Sequence, residues 1–302
     1  MGAEGLLSKK IAPTLPLILG LQTSALVDHV ARVDWSLLDQ IPGDRGGSQQ
    51  GCLFVQNMSL NGVNLSRLRM KKGHTAQCAC LVDAVGNRTM RPCLSSAVRL
   101  QHNELSVDDF KGSKWLAMRF GFYHLDLIHM AIRLAKQEGL LVSMDLASFE
   151  MVRDFRSPLL ELLEAGHIDL CFANEDEARE LLGCEQKSDP EAAVGFLSQH
   201  CQWAVVTLGP NGCIAKHGKE IVQVPATGET QATDATGAGD LFASGFLYGL
   251  VKGLSLEDCC KVGACSGGSV IRAFGGEVMP ENWQWMYKQM QAKGLPLPTL
   301  SN

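Results

Sequence analysis

Short apolar runs alternate with stretches of helical spacing through the second half of the chain. LLVSMDLA (Leu140 to Ala147), IDLCFA (Ile168 to Ala173) and WAVVT (Trp203 to Thr207) are nearly continuous in apolar residues, which predicts strands buried on both faces. Lys114 to Met118 is a shorter strand candidate. Between and around them, Leu125 to Gln137, Pro158 to Ala165, Glu175 to Leu182 and Glu191 to His200 carry helical patterns, the first ended by Gly139. Strand-helix alternation of this kind predicts an α/β fold with a mostly parallel sheet covered by helices on both faces. Ligands in such sheets sit beyond the carboxyl ends of the strands, where Asp145, Asn174 and Thr207 fall.

The first half is less regular. Leu15 to Val30 reads as a first buried strand followed by a polar loop. Trp35 to Gln40 reads as a short helix, Ile41 to Gly51 as a polar, Gly-rich loop, and Leu53 to Leu60 as a helix closed by a turn at Asn61-Gly62. Thr75 to Val82 and Asn87 to Pro92, joined by turn residues from Asp83, predict a hairpin. No internal repeat or low-complexity tract interrupts the chain.

Composition narrows the class. At 302 residues and 46% apolar, the chain can bury a full core, as one large domain or two small ones. A formal net charge of -5 gives no general attraction to nucleic acid or anionic membranes, so an anionic substrate would need a local positive site. The 11 cysteines are odd in number and none forms a CxxC pair, which points to buried thiols in a reducing compartment rather than disulfides or a metal site. Ile11 to Val27 is apolar but broken by Pro13, Pro16, Gln22 and Thr23, a poor membrane span. Met1-Gly2 lacks the Ser or Thr that a myristoylation signal wants at the sixth position, where Leu6 stands. The expectation is a soluble, cytoplasmic protein with no membrane or nucleic-acid partner.

The densest chemistry lies in Thr233 to Leu250, TDATGAGDLFASGFLYGL. Gly237, Ala238 and Gly239 are small and let backbone approach a ligand. Leu241, Phe242, Phe246, Leu247 and Leu250 then follow at helical spacing. Free N–H groups at that helix start would make an anion site suited to a phosphoryl group in transfer. Asp240, in the first turn, could take a proton from an attacking hydroxyl. The alternative is that Asp240 complements the helix dipole and the glycines serve tight packing. The segment lacks the third glycine of a dinucleotide fingerprint, and no P-loop run occurs in the chain.

TDATGAGDLFASGF closely resembles the C-terminal signature of PfkB-type kinases, the family of ribokinase and adenosine kinase. Two further segments agree in order. Asn174-Glu175-Asp176-Glu177 resembles the family's N-x-x-E element, although alone it also reads as a helix cap. Thr207 to Gly212, TLGPNG, resembles its T-x-G-x-x-G segment, although alone it also reads as a hairpin turn. The likeness runs from Gly20 to about Trp285 and extends to plant-type cytosolic members.

The resemblance implies a single domain over residues 1–302, a ribokinase-like three-layer α/β/α fold with a mostly parallel central sheet and a small β lid from strands within 24–34 and 74–92. It implies Asp240 as catalytic base, with Gly237, Ala238 and Gly239 as the anion hole. Asn174 and Glu177 would support Mg²⁺-ATP, Glu177 acting on the metal indirectly. Thr207, Gly209 and Gly212 would meet the nucleotide. Gly268 and Gly275, within Gly267 to Gly276, would lie near the adenine. Asp234 and Thr236 match positions that hold K⁺ in some relatives, and Asp28 matches an acid that binds substrate hydroxyls. The acceptor would be a sugar or nucleoside, and a homodimer would form through the lid.

One family element departs. Gly46-Gly47-Ser48 should lead into an Asn and a helix that build the acceptor site, but Gln49-Gln50-Gly51-Cys52 follows. A βαβ-sized stretch of roughly 30 residues or more is expected to be missing near 48–50. Two functions follow: an ATP-dependent kinase acting on a sugar or nucleoside hydroxyl, or a catalytically impaired nucleotide-binding or interaction protein on the same fold. The expectation is that the chain binds ATP better than it phosphorylates anything. Among other residues, Asp145 could face substrate or end a turn. Arg88 and Arg91 suit an anionic substrate or a solvated strand face. His29 and His217 read as surface or core residues, and Trp283 and Trp285 as core packing after Pro280.

Overall fold

The computed structural model describes residues 18–21, 26–32, 49–69, 71, 76–84, 86–93, 99–121, 124–183, 189–228 and 231–298. Its main sheet contains β1 (Ile18–Gly20), β5 (Trp115–Arg119), β6 (Leu141–Asp145), β7 (Leu170–Asn174), β8 (Trp203–Thr207), β9 (Cys213–His217) and β10 (Glu220–Val224), side by side in that order. From β1 to β8 all pairs are parallel, while β9 and β10 close one edge as antiparallel strands. A separate three-stranded sheet holds β2 (Leu26–Arg32), β3 (Ala76–Val82) and β4 (Arg88–Cys93), with β3 central, parallel to β2 and antiparallel to β4.

The period-two geometry of a strand explains the three layers. In β7, Cys171 and Ala173 enter one core, while Leu170 and Phe172 enter the other. In β8, Ala204 and Val206 join the first core and Val205 the second. The first core is covered by α2 (Leu125–Gln137), α3 (Phe149–Asp154), α4 (Arg156–Glu164), α5 (Glu175–Leu182) and α6 (Pro190–Leu197). The second is covered by α7 (Ala238–Val251) and α8 (Leu256–Val270), where Phe246 meets Phe172 edge-on with ring centroids 5.5 Å apart. The last helix, α9 (Pro280–Ala292), packs outside α8 through Met286 and Met290. This is the expected ribokinase-like α/β architecture.

Helices α2 and α5 and strand β8 lie where the apolar pattern puts them. Three expectations are corrected in part, and two strands went unread. Leu15 to Val30 is not a buried strand followed by a polar loop: Ile18 of β1 is 37% exposed, and from Leu26 the expected loop is instead the start of β2, which belongs to a different sheet. An apolar run shows that a segment can be buried, not how many sheets share it. The helix expected from Leu53 is α1 (Gln49–Leu60), so Gln49 to Gly51 are helical rather than loop. Pattern alone missed β9, an inner strand whose run Cys213 to Ala215 is buried, and β10, the edge strand beside it, which is mostly exposed. Trp283 is 37% exposed rather than packed, whereas Trp285 is half-buried beneath the Arg272 guanidinium, 4.6 Å from the ring centroid. The expected helix at Trp35 to Gln40 and the Gly46-Gly47-Ser48 segment lie outside the described residues. Among cysteines whose side chains are described, all but Cys52 are buried. No helix among the described residues is long and apolar enough to cross a membrane.

Candidate active site

The carboxyl ends of β5, β6, β7 and β8 carry Arg119, Asp145, Asn174 and Thr207, and parallel pairing sets them side by side. Arg119 pairs with Asp145 in register, and Asn174 pairs with Thr207. Beyond β6 the chain turns through Ala147, which takes φ +71°, a left-handed conformation costing a non-glycine residue roughly 1 kcal/mol. The turn lets the Ala147 amide donate to Asp145 Oδ1 at 2.8 Å and fixes that carboxylate at the strand end.

Asn174 ends β7 and caps α5. Its side chain accepts from the Glu177 amide at 2.8 Å. In return the Glu177 carboxylate accepts from the Asn174 amide at 2.8 Å and from Asn174 Nδ2 at 2.9 Å. The capping reading of NEDE therefore describes its local geometry. Glu177 is only 4% exposed, and burial pushes its carboxyl up to about 7, helped by the nearby Asp145 charge. Asp145 is raised as well, first by burial and then by Asp240, with Arg119 opposing.

Helix α7 begins at the glycine cluster. Gly237 is its N-cap at φ +78°, and a Cβ there would sit 3.1 Å from Gly276 Cα, so only glycine fits without strain. Ala238 N–H turns back to Ala235 O at 3.3 Å, and Leu241 N–H donates to Gly237 O at 2.9 Å. The amides of Gly239 and Asp240 thus precede the helical ladder. A Cβ on Gly239 would meet nothing within 4 Å, so that face is open. Asp240 projects from this first turn with a side chain 58% exposed.

Upstream, Asp234 is fully buried and ties the loop together. Its carboxylate accepts from the Thr236 amide and from the Gly275 amide, each at 2.8 Å. Thr236 Oγ1 is buried with no partner among the described residues. Thr207, Gly209 and Gly212 form the tight connection between antiparallel β8 and β9, closed by Leu208 N–H donating to Gly212 O at 2.8 Å, which is the hairpin reading of TLGPNG. Gly268 lies inside α8, where a Cβ would come within 2.2 Å of Thr227 O; close packing explains that glycine without a ligand. Asp28 lies on β2, in register with Cys78.

Two participants escaped sequence reasoning. Arg119 reaches across the strand ends, with Nε 3.5 Å from Asp145 Oδ1 and Nη1 3.8 Å from Asp240 Oδ1. Partial burial pulls its pKa down, but Asp240, Asp145 and Glu177 together outweigh that and the net shift is upward. Its position directly after the strand candidate Lys114 to Met118 was the available signal. The second is Gly86, at the β3–β4 turn, whose carbonyl accepts from Ala235 N–H at 3.1 Å. That bond docks the three-stranded sheet onto the loop leading into α7.

Residues 43–282 match the pfkB family carbohydrate kinase pattern. Fructoselysine 6-kinase of Escherichia coli (strain K12) is 28% identical over 233 residues, covering 76% of this chain and 81% of that protein. Among solved structures, a probable sugar kinase from Rhizobium etli CFN 42 is 26% identical with a TM-score of 0.82, over 94% of this chain and 100% of that one. Adenosine kinase from Sinorhizobium meliloti is 27% identical with a TM-score of 0.80, over 91% of this chain and 99% of that one.

Proposed function

The chain belongs to the pfkB family of carbohydrate kinases, ATP-using phosphotransferases, and from that premise we propose that it transfers the γ-phosphoryl group of ATP to a hydroxyl of a sugar or nucleoside, with Asp240 as general base. The observation that carries this reading is the half-exposed Asp240 carboxylate in the first turn of α7, beside amides that precede the helical ladder. The acceptor hydroxyl gives its proton to Asp240, and the oxygen attacks the γ-phosphorus in line. The Pγ–O bond to the β-phosphate breaks, with the electron pair leaving on ADP. The Gly237, Ala238 and Gly239 turn would face the charge that develops on the phosphoryl oxygens, with the Gly239 amide free to donate while Ala238 N–H is turned to Ala235 O.

The nucleotide would lie over Asn174, Thr207, Gly209 and Gly212, with Gly268 and Gly275 behind it toward the adenine. Glu177 would support Mg²⁺ indirectly. A buried carboxylate held near neutrality is relieved by a divalent cation, which suits this role. Bound Mg²⁺ would offset phosphate charge. A monovalent cation such as K⁺ would fit between the Asp234 carboxylate and the unpartnered Thr236 hydroxyl. Asp28, on the three-stranded sheet, would bind acceptor hydroxyls, that sheet acting as a lid and as the face of a homodimer in the cytoplasm.

A second reading, nucleotide binding with impaired transfer, is favoured by one observation. In the described sheet β1 is the outermost strand, three residues long, with Ile18 exposed and its outer edge unpaired among the described strands. One experiment separates the two. ADP release is followed with ribose, fructose, fructoselysine, adenosine and cytidine, for wild type and Asp240→Asn. Acceptor-dependent turnover that falls about 10²–10⁴-fold in the variant, with ATP binding retained, supports the kinase. ATP binding without acceptor-dependent turnover supports the binder, and undiminished turnover in Asp240→Asn removes the base assignment.

A further inference from the structure

We propose that Arg119 is a second catalytic residue, its guanidinium donating to oxygens of the phosphoryl group as that group passes from nucleotide to acceptor. The inference rests on the kinase reading and goes beyond it, because none of the resembling motifs contains this residue.

Among the described residues, Arg119 differs from three other ion-paired arginines, Arg69, Arg153 and Arg179. Arg69–Asp109 and Arg179–Asp176 close at 2.7 Å, and Arg153–Asp154 at 2.8 Å. Arg119 keeps 3.8 Å from Asp240, beyond hydrogen-bonding distance, and 3.5 Å from Asp145, at the outer limit of a hydrogen bond. Its described hydrogen bond runs from Nη2 to Ala147 O at 3.2 Å. The fork is therefore anchored at its rim and leaves N–H capacity toward the cleft, which a residue kept only as a brace would have committed to a carboxylate. Arg119 and Asp240 have equally exposed side chains, 58% each, and open to the same solvent.

Distance makes the contact chemical. An acceptor oxygen losing its proton to Asp240 must lie about 2.6–3.2 Å from that carboxylate. Nη1 lies 3.8 Å from the same Oδ1, so the acceptor oxygen and the phosphorus approaching it fall within reach of a small swing of the arginine. Charge supplies the need. The described contacts gather Asp145, Glu177 and Asp240 here, and Arg119 is the cation they bring among the described residues. A polyanionic nucleotide entering this carboxylate cluster requires a positive group at the point of transfer. In the step itself Arg119 exchanges no proton and no electrons. The acceptor proton goes to Asp240, the new O–P bond forms as the bond to ADP breaks, and the guanidinium follows the moving charge.

The test uses the full chain and a transition-state mimic. MgADP binding is measured by calorimetry with and without aluminium fluoride, for wild type, Arg119→Met and Arg119→Lys, each checked for folding by near-ultraviolet circular dichroism. The expected result is that fluoride tightens ADP binding in wild type. Arg119→Met loses about a hundredfold of that complex's affinity while plain MgADP affinity stays within twofold, and Arg119→Lys retains part of the gain through its charge. Equal fluoride-dependent tightening in wild type and Arg119→Met overturns the proposal. So does a wild type that binds MgADP but gains nothing from fluoride. A wild type that binds neither MgADP nor MgATP instead refutes the kinase reading on which the proposal stands. If Arg119→Met fails to fold, Arg119→Lys decides: it should bind the fluoride complex more weakly than wild type with unchanged MgADP affinity, and full wild-type tightening overturns the assignment of the planar fork.

Discussion

Replacing Gly86 with alanine attacks the joint between the three-stranded sheet and the loop that leads into α7. Gly86 sits at φ +84°, and an added Cβ would lie 2.3 Å from Ala232 O and 2.9 Å from Ala232 C, both backbone atoms. The left-handed conformation alone costs alanine roughly 1–2 kcal/mol. Relieving the clash means pulling the turn off the loop by about an ångström, which breaks the bond from Ala235 N–H to Gly86 O and adds about 1–3 kcal/mol for a donor left poorly satisfied. Gly62, at the end of α1, provides the control. It has φ +72°, but a Cβ there meets nothing within 4 Å, so Gly62→Ala carries the conformational cost without the clash. Urea unfolding of both variants should show Gly86→Ala less stable than Gly62→Ala by about 1–3 kcal/mol, the share assigned to the lost bond. Amide exchange at Ala235 should accelerate only in Gly86→Ala. Equal stability of the two variants, with unchanged exchange at Ala235, would refute the docking of this turn on the loop that leads into α7.

Two further predictions follow from burial and backbone geometry. Glu177 has its carboxyl raised to about 7 from an ordinary value near 4.5, so between those values the unfolded chain releases a proton that the folded chain keeps. Stability of the nucleotide-free protein should therefore fall as pH rises through that window, by on the order of 3 kcal/mol. Melting curves from pH 4.5 to 8 should show the decline in wild type and a much flatter profile in Glu177→Gln; parallel profiles would sink the assignment. Gly212 has φ +91° and ψ -125°, and a Cβ would lie 2.0 Å from Val224 O and 2.7 Å from Pro225 C. Gly212→Ala should cost about 3 kcal/mol or more and lower the melting temperature by several degrees, whereas a wild-type melting curve would show that the β8–β9 turn does not pack on the end of β10 as described.

Much of the fold was legible in the chain itself, because burial leaves a periodic signature. β8 needed no partner to be recognised, since Trp203 to Thr207 is apolar at nearly every position. The limits of α5 follow from Asn174 as a cap and Gly183 as a left-handed stop. DATGAGD pointed to a helix start with small residues beside a carboxylate, because these features are contiguous in it. What periodicity reports is whether a segment is buried, not what it is buried against. It could not separate β1 from β2, which lie in different sheets, nor show β10, whose edge position relaxes the pattern, and it left the short inner strand β9 unread.

The site is divided in the same way. Asp240, Asn174 and Glu177 were found because each belongs to a local motif. Arg119 was not, because 121 positions separate it from Asp240 and nothing in WLAMR announces a partner. Only parallel crossovers, which stack the carboxyl ends of β5 and β6 and set α7 against them, bring its guanidinium within 3.8 Å of that carboxylate. The docking of Gly86 on Ala235 likewise joins segments far apart in the chain. The amino-acid sequence by itself determined most of the elements and the glycine turn that opens α7, since both depend on neighbours within a few residues. The tertiary structure alone decided which charges surround that turn, since electrostatic contacts depend on distance in space and the chain reveals only distance along itself.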